Sequence, residues 1–122
     1  MAVNPAYLIG TGAAVGALLR YATNRYVGGV AAARDRRFPY GTFTVNVVGS
    51  FVLALVTALG AGADVLYLVG AGACGSYTTF SSFSVDTVRL WETGDRRLAA
   101  WYASVNLVGA VAAIRAAFVV AG

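Results

Sequence analysis

An all-α membrane protein with four transmembrane helices, the third broken near its middle, is the fold class this sequence predicts. Three observations carry the prediction. The chain of 122 residues is 59% hydrophobic and 11% charged, whereas a soluble domain carries about 25% charged residues. That leaves too little polar material to clothe a surface facing water. The apolar residues fall into four stretches, roughly 5–30, 40–61, 65–91 and 98–121, each with the ~20 residues a helix needs to cross the hydrocarbon core. The third stretch contains GACGSYTTFSSFSVD, residues 72–86, whose glycines and hydroxyl side chains interrupt an otherwise lipid-compatible run.

The first stretch has no basic flank, and its apolar run continues past the length of a signal peptide, so it reads as a permanent span. The connections AAARDRRF, AGAD and ETGDRR are short, and residues 1–122 read as one four-helix domain. Arginine supplies every basic residue. Arg25, Arg34, Arg36 and Arg37 gather at the first connection, and Arg89, Arg96 and Arg97 at the third, while the opposite side carries Asp64 and Arg115. Basic connections stay in the cytoplasm. A multi-pass protein of the cell membrane with cytoplasmic first and third loops is therefore expected. The single Cys74 excludes an intrachain disulfide, and the absence of His removes the commonest base and metal ligand. With no metal-ligand cluster and no Ser paired with a base, an enzyme is not expected, nor is a nucleic-acid partner.

The polar residues within the spans fall on faces. In the first, Gly12, Gly16 and Arg20 are four residues apart and share one side. Small residues at that spacing let another helix approach closely. Arg20 either snorkels to the interface or meets a partner or water inside, since an ionisable group within a span is costly. In the second span Thr42, Asn46, Gly49 and Ser50 align. The Asn46 amide needs hydrogen-bond partners, as a link between helices or as a contact for something transported. In the fourth, Tyr102, Asn106, Gly109 and Ala113 form a stripe, with Tyr102 either an interfacial anchor or a pore residue.

Within the third span, Gly72, Gly75 and the Ser-Tyr-Thr-Thr run weaken the helix at mid-membrane depth. Irregular backbone there is tolerated only when it is buried in protein or lines a cavity. Beyond the break, Phe80, Phe83 and Thr87 share a face, interleaved with Thr78, Thr79, Ser81, Ser82 and Ser84 and flanked by Asp86. Hydroxyls offer donors without trapping an ion through full charge, as conduction requires. Phe edges carry the positive part of the ring quadrupole. The combination suits a small, hard anion.

GTFTVNVVGSF (41–51), GACGSYTTFSSFSVD (72–86) and GALLRY (16–21) together resemble the signature segments of the Fluc/CrcB family of fluoride channels, and the resemblance covers all four spans in order. It implies an antiparallel, inverted dimer in the bilayer that exports fluoride passively and so limits its toxicity in the cytoplasm. It further implies a fluoride pathway through Asn46, Phe80 and Phe83, a polar track of Thr79, Ser81 and Ser84 with Tyr102, and Arg20 at a vestibule. A structural Na⁺, not transported, would be held by the backbone carbonyls of Gly75 and Thr78 from both chains. Asp86 stands where the family usually has Glu, and Asn106 where Ser is expected. The arginine bias predicts one insertion direction and hence an oppositely oriented homologous subunit as partner, against pairing of the chain with itself. Two rival readings exist. A small multidrug exporter needs a carboxylate in the first span, and this one has none. A non-conducting membrane assembly subunit would use its polar faces only to join helices.

Overall fold

The computed structural model describes residues 3–34 and 37–122, and among them there is no strand. Helix α1 runs Pro5–Ala33 and α2 runs Tyr40–Ala58. Helix α3 covers residues 63–77, mostly as the π-helical stretch Leu66–Cys74, and is followed by α4, Ser81–Glu92. Helix α5 runs Arg96–Ala121. Arg36, counted among the charges of the first connection, lies outside the described residues.

Local chemistry sets the ends. The Asn4 side chain accepts the Ala6 N–H at 2.9 Å and Pro5 opens α1, satisfying one orphan donor where proline costs nothing. Helix α2 stops where Gly60 takes φ +71°. Gly60 N–H then reaches the Thr57 carbonyl and Ala61 N–H the Val56 carbonyl, the paired closure that a left-handed residue after a helix makes possible. Gly94, at φ +92°, ends α4 in the same way through Trp91 and Leu90. At that end of the bundle, Arg37 forms an ion pair with Asp95 and donates to the Thr93 hydroxyl at 3.1 Å, tying the first connection to the third.

Helix α1 lies along α3, and α2 lies along α5, with α4 also against α5. Small residues make these approaches possible. Gly12 and Gly16 are buried with the Leu68 and Ala73 carbonyls where a Cβ would otherwise stand, and Gly72 faces the Ile9 carbonyl. Most of the buried apolar set is correspondingly small in side-chain size: Ala31, Ala54, Cys74, Ala99, Ala113 and Ala117, beside Val45 and the larger Leu90 and Tyr102. Large apolar residues such as Leu18, Leu107 and Val120 face outward. This distribution is unfavourable in water and suited to lipid, where close contact between small residues replaces the hydrophobic drive between helices. Helices α2 and α5 are each long and apolar enough to cross a bilayer.

The break in the third span falls within the Ser-Tyr-Thr-Thr run, one turn beyond its glycines. Gly75 N–H still donates within the helix, to the Gly70 and Gly72 carbonyls, and Gly72 is fixed against α1. The chain leaves helical geometry at Thr78, φ −76° and ψ 159°. The cause is competition for donors. Thr79 N–H is taken by the Asn46 side chain at 2.8 Å, and the Thr79 hydroxyl accepts the Ser82 N–H at 3.1 Å where α4 begins.

Candidate functional site

The helix break, α2 and α5 bring a set of polar side chains into one connected path. Thr42 and Asn46 lie one turn apart on α2, as do Tyr102 and Asn106 on α5. Asn46 Oδ1 accepts from Thr79 N–H, and Asn46 Nδ2 donates to Asn106 Oδ1 at 3.3 Å. Asn106 Nδ2 donates to the Tyr102 carbonyl at 2.9 Å. The Tyr102 hydroxyl donates to Asp86 Oδ2 at 3.1 Å, and the Thr42 hydroxyl donates to the same oxygen at 2.8 Å. Among the described residues no buried side-chain nitrogen or oxygen lacks a partner. A fully satisfied network of this kind is rigid in a low-dielectric interior. Asn46 holds the break open, because its acceptor replaces the helical carbonyl that Thr79 N–H would otherwise use. An amide has two N–H donors, and the bond to Asn106 uses one.

Aromatic rings run beside this path. Phe80 and Phe83 have centroids 5.8 Å apart, Phe83 lies 5.6 Å from Tyr102, and Phe38 meets Tyr102 edge-on at 5.2 Å. Tyr102 is completely buried, with its hydroxyl joined to the network. Phe80, by contrast, is 80% exposed on the single chain. Ser81 beside it is exposed too, with its hydroxyl 3.4 Å from that of Thr79, while the half-buried Ser84 hydroxyl donates to the Phe80 carbonyl at 3.0 Å.

Two of the residues singled out from sequence stand apart. Arg20 is half-buried on α1 and makes no ion pair or hydrogen bond among the described residues. Gly75 and Thr78 sit at the end of α3, beyond the network, where the Thr78 hydroxyl turns back to the Cys74 carbonyl at 2.9 Å. Four residues join the site without having been assigned to it, among them Asn106, signalled by its place one turn after Tyr102. Thr42 was signalled by its position one turn before Asn46, and Asp86 by being a carboxylate within a span. Phe38, in the first connection, carried no signal.

Tyr102→Phe tests the carboxylate end. Asp86 would keep the Thr42 donor and lose the other, and a hydrogen bond to a charged group contributes about 1.5–3 kcal/mol. The expected result is a lower thermal midpoint of the detergent-purified protein. Thr42→Val combined with Tyr102→Phe should cost more than either alone, because both donors serve one oxygen.

Residues 7–118 match the family of CrcB-like proteins, described as camphor resistance (CrcB). The chain is 52% identical over 114 residues to the fluoride-specific ion channel FluC 2 of Haloarcula marismortui, covering 93% of this chain and 91% of that one. It is 47% identical over 114 residues to FluC 1 of Halobacterium salinarum, with the same coverage. The fluoride-specific ion channel FluC of Agrobacterium fabrum is 38% identical over 112 residues, 88% of this chain and 87% of its own. With four helical spans in order, a polar path at the break of the third, and a family match over nearly its whole length, this chain belongs to the CrcB family of membrane proteins.

Proposed function

We propose that this chain is a subunit of a fluoride-selective channel of the cell membrane, through which fluoride leaves the cytoplasm passively. The observation that carries the reading is the Asn46 bridge: one side chain holds the break of the third span open and joins it to a line of hydroxyl and amide donors. Relatives of high identity are named as fluoride-specific channels. Fluoride is small and strongly hydrated, so a path for it must replace water donors one at a time. The Asn46 amide and the Thr79 and Ser81 hydroxyls supply such donors, the Ser84 and Tyr102 hydroxyls would join them by turning from the Phe80 carbonyl and Asp86, and the edges of Phe80 and Phe83 supply positive quadrupole without full charge. Arg20, on α1, would raise the local anion concentration at a vestibule.

The single chain does not enclose this path. Phe80 and Ser81 lie on its outer surface, and hydroxyls left facing lipid are unfavourable. A second subunit covering that face, in an inverted antiparallel dimer, removes the cost. The arginine bias toward the first and third connections favours cytoplasmic placement of those loops. It also favours an oppositely oriented homologous subunit as the partner over a second copy of this chain. The residues at the end of α3 fit a structural Na⁺ between subunits. Helix geometry ends at Thr78, no donor among the described bonds reaches the Gly75 or Thr78 carbonyl, and Gly75 is exposed. Hard carbonyl oxygens of this kind suit Na⁺, and a fixed cation there would offset the cost of an anion in low dielectric.

Fluoride efflux from liposomes, with chloride as comparison, tests the function. Fast, fluoride-selective efflux is expected, and Phe80→Ile and Phe83→Ile are each expected to lower it at least about tenfold with little change in thermal stability. Changed stability with unchanged flux would identify a non-conducting assembly subunit instead.

A further inference from the structure

An open cavity of about 350 Å³ lies at the end of the bundle where the first and third connections meet, lined in part by Asn24, Arg37, Phe38, Thr42, Asp86 and Arg89. Two of these, Thr42 and Asp86, are the terminal members of the polar network that runs through Tyr102 and Asn106 to Asn46. At ~30 Å³ per water the cavity holds on the order of ten water molecules, enough for an anion to arrive with its hydration shell.

The charges around this cavity oppose one another. Asp86 presents a carboxylate to any approaching anion, and a lone negative charge at such a position repels it. Its Oδ2 is engaged by two hydroxyl donors, which orient the group without cancelling its charge. Arg37 is occupied elsewhere: Asp95 neutralises it and Thr93 holds it. Arg89 differs. It lies three residues after Asp86 on α4, hence on the same face one turn on, it lines the same cavity, and it forms no ion pair among the described residues. We infer that Arg89 is the charge that makes this cavity the loop-end mouth of the anion path, offsetting Asp86 and drawing fluoride toward this end of the polar network. The inference rests on the channel reading above and deepens it, assigning a positioning role to a residue outside the line of donors.

The test is fluoride efflux from liposomes containing the assembled channel, purified with the inverted subunit it takes. Ionic strength is set from about 10 mM to about 1 M with a salt of an impermeant anion. Charges are felt over ~30 Å at the lower value and ~3 Å at the upper, and steering effects of tenfold or more are usual in charged clefts. Arg89→Gln is expected to slow fluoride efflux about five- to tenfold at low ionic strength and less than about twofold at high. Arg89→Lys, which keeps the charge, should stay within about twofold of the unsubstituted channel throughout. Arg96→Gln serves as comparison, since Arg96 lies 5.0 Å over the Trp91 ring and outside the cavity, and should change nothing. Equal efflux by Arg89→Gln and the unsubstituted channel at low ionic strength would overturn the inference and leave the channel reading intact. Slow efflux by both Arg89 variants at every ionic strength would overturn it too, because the residue would then be structural. Absence of fluoride efflux from the unsubstituted assembly would overturn the channel reading and this inference together.

Discussion

Asn46→Asp is expected to reduce fluoride efflux about a thousandfold in protein that still folds. The substitution is nearly isosteric, so the acceptor that holds Thr79 N–H remains, and with it the break between α3 and α4. Two things change. The donor to Asn106 Oδ1 disappears and leaves two acceptors facing each other. A negative charge also enters the middle of the path. Two like charges 4 Å apart at an effective dielectric near 20 repel by about 4 kcal/mol, a factor of about a thousand in rate at this barrier height. Asn46→Ala removes the Thr79 acceptor and both amide donors without adding charge, so it should lower efflux less than Asn46→Asp while leaving Thr79 N–H unpaired at a cost of about 1–3 kcal/mol of stability. Efflux is measured from liposomes, with monodispersity in detergent as the check on folding. Undiminished efflux through folded Asn46→Asp would place the anion elsewhere.

The same residue shows how much of the site could be read from the chain. Asn46 stands out in sequence because an amide at lipid depth must be satisfied, and its face, shared with Thr42 one turn away, follows from helical spacing alone. Hydropathy likewise marks four apolar stretches and the short connections between them. The break is signalled by both the glycines and the Ser-Tyr-Thr-Thr run, and it falls in the second. Gly72 and Gly75 are the weakest helix formers in the third span, yet they remain helical: α1 packs its Gly12 against Gly72, and Gly75 N–H donates within the helix to the Gly70 and Gly72 carbonyls. The helix ends at Thr78 because a side chain on a different helix takes the next backbone donor. That competition is tertiary and leaves no periodic trace. Tyr102 shows the same limit. Its spacing fits both an interfacial anchor and a pore residue, and its burial with a bond to Asp86, sixteen residues away on α4, is not visible in that spacing. Phe38 is harder still, since its place beside Tyr102 depends on how the first connection folds over the bundle end.

The second large effect belongs to α1 and distinguishes glycines that look alike in sequence. Gly10, Gly12 and Gly16 all sit within one helix, but a methyl group at Gly10 would meet nothing within 4 Å. At Gly12 it would meet the Leu68 carbonyl, with Ala73 N at 2.9 Å, and at Gly16 the Ala73 carbonyl. These neighbours are backbone of α3, fixed in place by the π-helical hydrogen bonds, and cannot rotate away as a side chain would. Accommodation therefore requires α1 and α3 to separate along their shared length, with loss of close contact on both sides of each glycine. Overpacking of this type costs about 1–3 kcal/mol at a single site, sometimes more. Gly12→Ala and Gly16→Ala should each lower the thermal midpoint clearly. The double variant should cost less than the sum, because one separation of the helices relieves both clashes. Gly10→Ala should be neutral or raise stability by up to about 1 kcal/mol through helix propensity. The close approach of α1 also supports the final turn of α3, since the Ser76 hydroxyl donates to the Ala13 carbonyl at 2.8 Å. Displacing α1 would therefore move Gly75 and Thr78, and the Gly16→Ala variant is expected to lose fluoride efflux in the fraction that folds. A Gly12→Ala protein as stable as Gly10→Ala would mean that α3 yields at this contact and that the span is less rigid than its backbone hydrogen bonds require.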